Sequence, residues 1–358
     1  MYTSLLITGI VVGVYLIVYN TFIKRLRCKS SAQLHGKTVI VTGANTGIGK
    51  ATALDLAKRG ARVILACRNQ QRAEAAALDI KRESGNDEVV YMNLDLGSLQ
   101  SVRSFTQTFL KTEPRLDLLI NNAGISLHGR TEDGFGMIFG VNHLGHFLLT
   151  LLLLERLKES DSSRVVNVSS GSHRYGAIDF NYLSTHKDLG VGDTPTQKFK
   201  LYSHSKLCNV LFTHELAKRL QGTSVTCYSV RPGFVRTEIA RHATIWWKIL
   251  LGPVVLLFAV DPDSGAQTTL HCALQEGIEP LSGCYFSNCA VVDLLPKAKD
   301  DAVARKLWEG PTQVLGRPQP WTWPKEGQGS SWPAEISREQ KLLPLTLRGK
   351  VGMMRWCT

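Results

Sequence analysis

The stretch that decides the fold is KTVIVTGANTGIGKATALDLAKRGARVILAC, residues 37–67. A short β-branched run ends at glycine, a helix-like GKATALDLAKRG follows, and a second apolar run, ARVILAC, closes the unit. Apolar runs without polar alternation predict strands buried on both faces, and two of them joined by a helix predict a parallel βαβ unit. In the connecting loop TGANTGIGK (Thr42–Lys50), Gly43 permits the tight turn, Gly47 lets backbone N–H groups approach a pyrophosphate, and Gly49 allows close helix–strand packing. Asn45, Thr46 and Ile48 complete the loop, and the positive end of the helix favours a phosphate there.

Outward from this unit the alternation continues. Strands are expected in EVVYMNLD (88–95), LDLLINNAG (116–124), SRVVNVSS (163–170) and SVTCYSVRPG (224–233). Helices are expected in NQQRAEAAALDIKRES (69–84), LQSVRSFTQTFLKT (99–112), MIFGVNHLGHFLLTLLLLERLKES (137–160) and LYSHSKLCNVLFTHELAKRL (201–220). The fold class is therefore α/β: a doubly wound parallel sheet, the Rossmann fold, in one domain over residues 36–310. Two segments break the rhythm. Residues 240–260 are intensely apolar and aromatic, and residues 311–358 hold six of the thirteen prolines and four of the seven tryptophans without periodicity. The second reads as a disordered tail.

Composition narrows the class of partner. The net charge is +12, yet residues 1–30 contribute +4 through Lys24, Arg25, Arg27 and Lys29, and residues 311–358 another +4. A basic excess confined to the ends argues against nucleic acid as partner. Ser4–Ile23 is twenty residues without a charge, which as a helix spans about 30 Å, the hydrocarbon thickness of a bilayer. No basic side chain precedes it and KRLRCK follows, so residues 1–30 read as an N-terminal membrane-anchor helix with a basic flank, the domain lying in the cytosol. A cleaved signal leading to secretion, or a hairpin anchor in a lipid-droplet monolayer, are the alternatives. The eight cysteines show no CxxC pair or dense framework and read as buried reduced thiols. The sequon at Asn167–Ser169 lies in an expected buried strand and reads as accidental.

The chemistry-bearing residues cluster at strand ends. ARVILAC ends at Cys67, where a carboxylate would hold the ribose 2′-hydroxyl of NAD, and Arg68 follows. A guanidinium there suits a 2′-phosphate, so NADP(H) is the expected cofactor. Asp95 and Leu96 in NLDL, at the third strand's end, would meet the adenine, the carboxylate accepting from its amino group. Asn122, Ala123 and Gly124 of NNAG would let the chain pass under the cofactor. Tyr202 and Lys206 stand at i and i+4, on one helical face. A cation beside a phenol favours its ionised form, making tyrosine a usable proton donor or acceptor near neutrality. Ser170 could hydrogen-bond the same substrate oxygen, with Ser169 its competitor, and Asn142 could hold a water that carries a proton path from Lys206 to solvent. His143 and His146 have metal-like spacing but no third ligand, so no metal is expected.

TGANTGIG, NNAG, VNHLGHF, VVNVSS, YSHSK and RPGFVRTE occur in this order over residues 36–310, and the sequence resembles the short-chain dehydrogenase/reductase family. LACRN, VNHLGHFLLT and EPLSGCYFSNC are similar to its membrane-bound retinol dehydrogenase branch. The resemblance implies Asn142, Ser170, Tyr202 and Lys206 as a catalytic tetrad. It also implies Lys206 on the nicotinamide ribose and Pro232, Gly233, Val235 and Thr237 at the nicotinamide. It further implies an endoplasmic-reticulum membrane location, a homodimer formed through the helices of YSHSK and VNHLGHF, and reduction of retinaldehyde or related lipid aldehydes with NADPH. Where the branch has HPG this chain has RPG, which places Arg231 near the nicotinamide. The segment 240–260 falls where the family has its substrate lid, with Trp246, Trp247, Leu250 and Leu257 against a lipophilic substrate or the bilayer surface. A steroid or other secondary-alcohol dehydrogenase is the alternative enzyme, and a non-catalytic membrane-tethered nucleotide- or lipid-binding module the alternative to an enzyme.

Overall fold

The computed structural model describes residues 26–178, 180, 194–235 and 259–314, with Gly9 and Gly13. The chain alternates β1 (Thr38–Thr42), α1 (Gly47–Lys58), β2 (Arg62–Cys67), α2 (Gln70–Ser84), β3 (Val89–Asn93), α3 (Leu99–Thr112) and β4 (Leu118–Asn121). Helix α4 (Met137–Lys158), β5 (Ser163–Val168), α5 (Pro195–Arg219) and β6 (Val225–Arg231) continue the alternation. Beyond β6 come α6 (Pro262–Leu274), β7 (Tyr285–Ser287), β8 (Ala290–Val291) and α7 (Asp301–Val314). The strands form one sheet in the order β3-β2-β1-β4-β5-β6-β7-β8, parallel except for the last pair.

Residue alternation along the strands explains why the sheet is covered on both sides. Val39, Val41, Val63, Leu65, Leu118 and Ile120 pack into one apolar cluster with Ala53 and Leu56 of α1, Ala73 and Ile80 of α2 and Leu270 of α6. Their neighbours Ile40, Ile64, Leu119 and Val165 point the other way, onto Phe105 and Phe109 of α3, Leu148 and Leu153 of α4 and Phe212 of α5. Strand order reverses between β1 and β4, whose connections leave toward opposite faces, so a crevice opens at the carboxyl ends there.

Helix α4 is apolar and long enough to cross a membrane, but most of it is buried inside the domain, where it serves as a core helix. Its backbone widens into a π-helical turn at Gly140–Leu144. Helix α5 begins at Pro195, six residues before the expected start, because Thr194 and Gln197 form a reciprocal capping box ahead of it. Helix α7 carries the chain to Val314, so the first residues of the expected unstructured tail are helical. Trp308 anchors the helix, its ring 5.2 Å from Phe147 and 5.7 Å from Phe212. Apart from Gly9 and Gly13, the expected anchor at Ser4–Ile23 lies outside the described residues, as do Thr237, the lid residues 240–258 (with Trp246, Trp247, Leu250 and Leu257) and residues 315–358. Seven described cysteines are free. Five are buried, whereas Cys28 and Cys289 are only half-buried, contrary to expectation, because Cys28 lies in the irregular segment before β1 and Cys289 in the turn between β7 and β8. Asn167 is buried in β5, as expected of an accidental sequon, its amide donating to Thr213.

Gly145 sits where α4 passes the loop after β3, and a Cβ there would lie 2.5 Å from the Leu96 carbonyl oxygen and 2.9 Å from its Cβ. Gly145→Ala gains about 1 kcal/mol of helix propensity. The overpacking is expected to outweigh that gain, leaving the variant less stable by about 1–3 kcal/mol in urea unfolding. A variant as stable as the wild type would mean that the Leu96 loop yields.

Candidate active site

The glycine loop, the ends of β2–β6 and the face of α5 enclose a cavity of about 430 Å³. Gly43, Asn45, Thr46, Gly47, Ile48 and Gly49 form its floor at the amino end of α1. Gly43 and Gly47 have φ of +63° and +56°, the left-handed region where glycine is favoured. A Cβ on Gly49 would stand 2.4 Å from the Gly43 carbonyl oxygen and 2.5 Å from the Asn122 amide nitrogen, so close packing requires glycine there. The Thr46 side chain makes no cap at the start of α1, which leaves that helix end to accept an outside anion.

Arg68 and Asp95 line the next wall. No carboxylate ends β2. Cys67 stands there buried, its sulfur taking backbone N–H groups of Gly43, Ala44 and Asn45, and burial pushes its thiol up to about 11. The Arg68 guanidinium is exposed and lies 3.8 Å from Asp95 Oδ2, while Asp95 Oδ1 accepts from Gly97 N–H at 2.9 Å. Arg72, one helical turn on from Arg68, lines the same wall and escaped the sequence reading. The signal for it was the i, i+4 spacing in RNQQR. Leu96, Asn122, Ala123 and Gly124 border the cavity, and so do Pro232, Gly233 and Val235 after β6.

Ser170, Tyr202 and Lys206 close the far side. The two candidate serines separate cleanly. Ser169 is buried and donates to the Lys206 carbonyl at 2.8 Å, whereas Ser170 caps the turn Gly171–Tyr175 and its hydroxyl borders the cavity. Lys206 is buried, its Nζ donating to the Val168 carbonyl at 2.8 Å and lying 5.6 Å from the centre of the Tyr202 ring. The expected lowering of the Tyr202 phenol by that cation is not found. Burial pushes the phenol up to about 12, with Ser170 hydrogen bonding acting the other way, and burial pulls Lys206 down to about 8. Desolvation penalises both charged forms more than the pair's separation repays.

Asn142 is brought beside this group without facing the cavity. Its side chain is taken up by Ile125, whose N–H it accepts at 2.8 Å and whose carbonyl it meets at 3.0 Å, and it donates to Ser205 at 3.1 Å. The Asn142 carbonyl, in the π-helical turn, accepts from Asn209 at 3.0 Å. His146 joins the turn to the sheet: Nδ1 lies 3.2 Å from the Asn142 carbonyl and Nε2 lies 2.9 Å from the Thr42 hydroxyl. Thr42 already accepts the N–H groups of Asn122 and Ala123, so its own proton goes to Nε2, and Nδ1 carries the hydrogen that Asn142 receives. His143 pairs with Asn209 at 3.1 Å among the rings of Phe139, Phe147 and Phe212. His143 is thus held within the helix pair, and His146 between α4 and β1. Arg231 does not line the cavity. It lies over Gly171, where a Cβ would meet its Nε at 3.0 Å, because its place in the β6 register points it across the sheet toward that turn.

The short chain dehydrogenase family profile matches residues 37–188. The chain is 54% identical to dehydrogenase/reductase SDR family member 13 of Bos taurus over 87% of this chain and 82% of that protein. It is 50% identical to retinol dehydrogenase 11 of Homo sapiens over 81% and 89%. Among solved structures, an uncharacterised protein from Mycobacterium paratuberculosis is 34% identical with a TM-score of 0.64, covering 82% of this chain and 98% of that one.

Burial lowers His143 to about 4 and His146 to about 3, Lys206 and His143 also disfavouring charge on His146. The unfolded chain, with ordinary histidines near 6.5, therefore binds more protons in acid. The stability is present in full above about pH 6.5 and is lost as pH falls toward the folded values. Each buried histidine is expected to add up to about 1.4 kcal/mol per pH unit between roughly pH 6 and 4.5, and His146→Gln to remove one such increment from the slope in urea unfolding. A slope unchanged in the variant would show that His146 is not held neutral.

Proposed function

Because the chain belongs to the short chain dehydrogenase family and is one of its oxidoreductases, we propose that it is a membrane-anchored NADPH-dependent reductase of retinaldehyde and related lipid aldehydes. The observation that carries the reading is one cavity with a glycine-lined, anion-accepting floor on one side and Ser170, Tyr202 and Lys206 together on the other. The fold binds a nicotinamide dinucleotide. The preference for the 2′-phosphorylated form is supported by the absence of a carboxylate at the end of β2 and by the exposed Arg68 beside Arg72. The residues fit such a cofactor: the loop from Gly43 to Gly49 would hold the pyrophosphate, Arg68 the 2′-phosphate, Asp95 the adenine, and Lys206 the nicotinamide ribose.

A bound nicotinamide supplies the hydride for carbonyl reduction. The chain's own part is the proton. Tyr202, with a phenol held near 12, is protonated throughout the physiological range and is a donor rather than an acceptor. Ser170 would hydrogen-bond the same carbonyl oxygen and orient it toward the phenol. Lys206, largely charged at neutral pH even near 8, adds a positive field that favours negative charge developing on that oxygen. Asn142 acts as a positioning residue, tying the loop after β4 to α5 through Ile125 and Ser205.

The charge-free run Ser4–Ile23 and its basic flank support a membrane anchor with the domain on the cytosolic side, and the resemblance to the retinol dehydrogenase branch implies the endoplasmic reticulum as that membrane. The retinol dehydrogenase relatives support a retinoid-like substrate. NADPH oxidation by the membrane-bound chain with all-trans-retinaldehyde is expected to fall by about a hundredfold to ten-thousandfold in Tyr202→Phe. It is also expected to be weak with NADH, and Arg68→Leu is expected to raise the KM for NADPH about tenfold. Undiminished turnover in Tyr202→Phe would remove the phenol as proton donor, and equal use of NADH would remove the cofactor preference.

A further inference from the structure

Beyond Ser170 along the sheet, at the ends of β6 and β7, stands a polar cluster that the proton-transfer chemistry does not use. Arg231 is half-buried and has no hydrogen-bond or ion-pair partner among the described residues. Its guanidinium lies against Gly171, whose missing side chain makes the room: a Cβ there would be 3.0 Å from Nε and 3.1 Å from Cζ. Ser229 pairs with Tyr285 and Arg231 with Ser287, so Arg231 and Tyr285 project from the same face of the sheet. The Tyr285 hydroxyl and the Ser172 hydroxyl are both buried without a partner. Polar groups with no partner among the described residues are costly unless something else completes them.

The charges around the cluster are of one sign. Arg174, Arg231 and Lys297 face His173, and Arg231 and Arg174 face Tyr285, with no carboxylate among these groups. Lys297 reaches in by donating to the carbonyls of Arg174 and Gly176, both at 2.7 Å. The cluster is tied to the reacting end of the cavity: His173 Nδ1 lies 2.7 Å from the Ser170 carbonyl, and its ring packs 4.8 Å from Tyr285, which in turn lies within the field of Tyr202.

We propose that Arg231 anchors a subsite for a carboxylate carried by the lipid carbonyl substrate, so that oxo-acids are preferred over neutral aldehydes of the same length. This rests on the reductase reading and names the substrate class of that site. A carboxylate meets the guanidinium through two parallel N–H···O bonds, pairing donors that a purely hydrocarbon tail would leave bare.

The full chain in phospholipid nanodiscs, supplied with NADPH, is assayed with dodecanal and with ω-oxododecanoate, beside Arg231→Gln and Arg231→Lys. The acid is expected to show a kcat/KM about tenfold or more above that of dodecanal, the difference lying in KM, because charge-assisted contacts are worth at least that factor. Arg231→Gln is expected to bring the ratio close to one, and Arg231→Lys to keep part of it. A wild-type ratio near one, or a ratio that Arg231→Gln leaves untouched, overturns the subsite while reduction of dodecanal leaves the reductase reading standing. If neither aldehyde is reduced, the reductase reading fails for these substrates and calorimetric titration decides the subsite. Dodecanoate is then expected to bind about tenfold tighter than dodecanol in the wild type and no tighter in Arg231→Gln. Equal affinities in the wild type overturn it.

Discussion

The hydroxyl of Thr42 holds the centre of this molecule together. It stands at the end of β1, at the one place where neighbouring strands send their connections to opposite faces and the crevice opens. An opening there would leave the backbone N–H groups of Asn122 and Ala123 unpaired at the end of β4. Thr42 accepts both, and Asn122 returns a bond to the Thr42 carbonyl at 2.9 Å. Passing its proton to His146, the same hydroxyl fixes the π-helical turn of α4 against the sheet. Floor, middle wall and the segment under the candidate catalytic group are therefore referred to a single side chain, and the buried neutral imidazole carries the reference from strand to helix.

Electrostatics in the cavity follow from depth more than from pairing. Lys206 and Tyr202 sit close enough for their charges to favour each other, yet burial moves the phenol up and the ammonium down. The ammonium is stabilised chiefly by the Val168 carbonyl, a dipole and not a charge. A phenol in this setting holds its proton firmly, a state that suits a proton donor and not a base.

Much of this was legible in the sequence, for identifiable reasons. KTVIVTGANTGIGK discloses a strand, a turn and a helix because every position in it is constrained, and the loop lies where its glycines require. The separation of Ser169 from Ser170 also followed from counting to the end of β5. The elements beyond β6 went unread because a three-residue strand such as β7 has no period, and α6 and α7 carry turn formers, Gly265 in the one and Gly310 and Pro311 in the other. The true start of α5 carried a readable cue, Thr194 three residues before Gln197, that was passed over. The sign of the Tyr202 shift was beyond reach, since i, i+4 spacing gives neighbours and says nothing of how deep they lie. Arg231 could be noticed as a departure, but its direction depends on the β6–β7 register, which no local pattern encodes.

The distribution of sulfur has a consequence for durability. α,β-Unsaturated aldehydes are soft electrophiles, and the group on a protein that they alkylate most readily is a thiolate. The thiols of Cys28, Cys67, Cys208, Cys227, Cys272 and Cys289 are all raised by burial, Cys67 and Cys289 to about 11. At that value the reactive form is about one part in ten thousand at neutral pH. Cys67 stands in the wall of the cavity itself, its sulfur occupied by the backbone of the glycine loop. These six thiols are thus held largely in the protonated form, the one that reacts least with electrophiles.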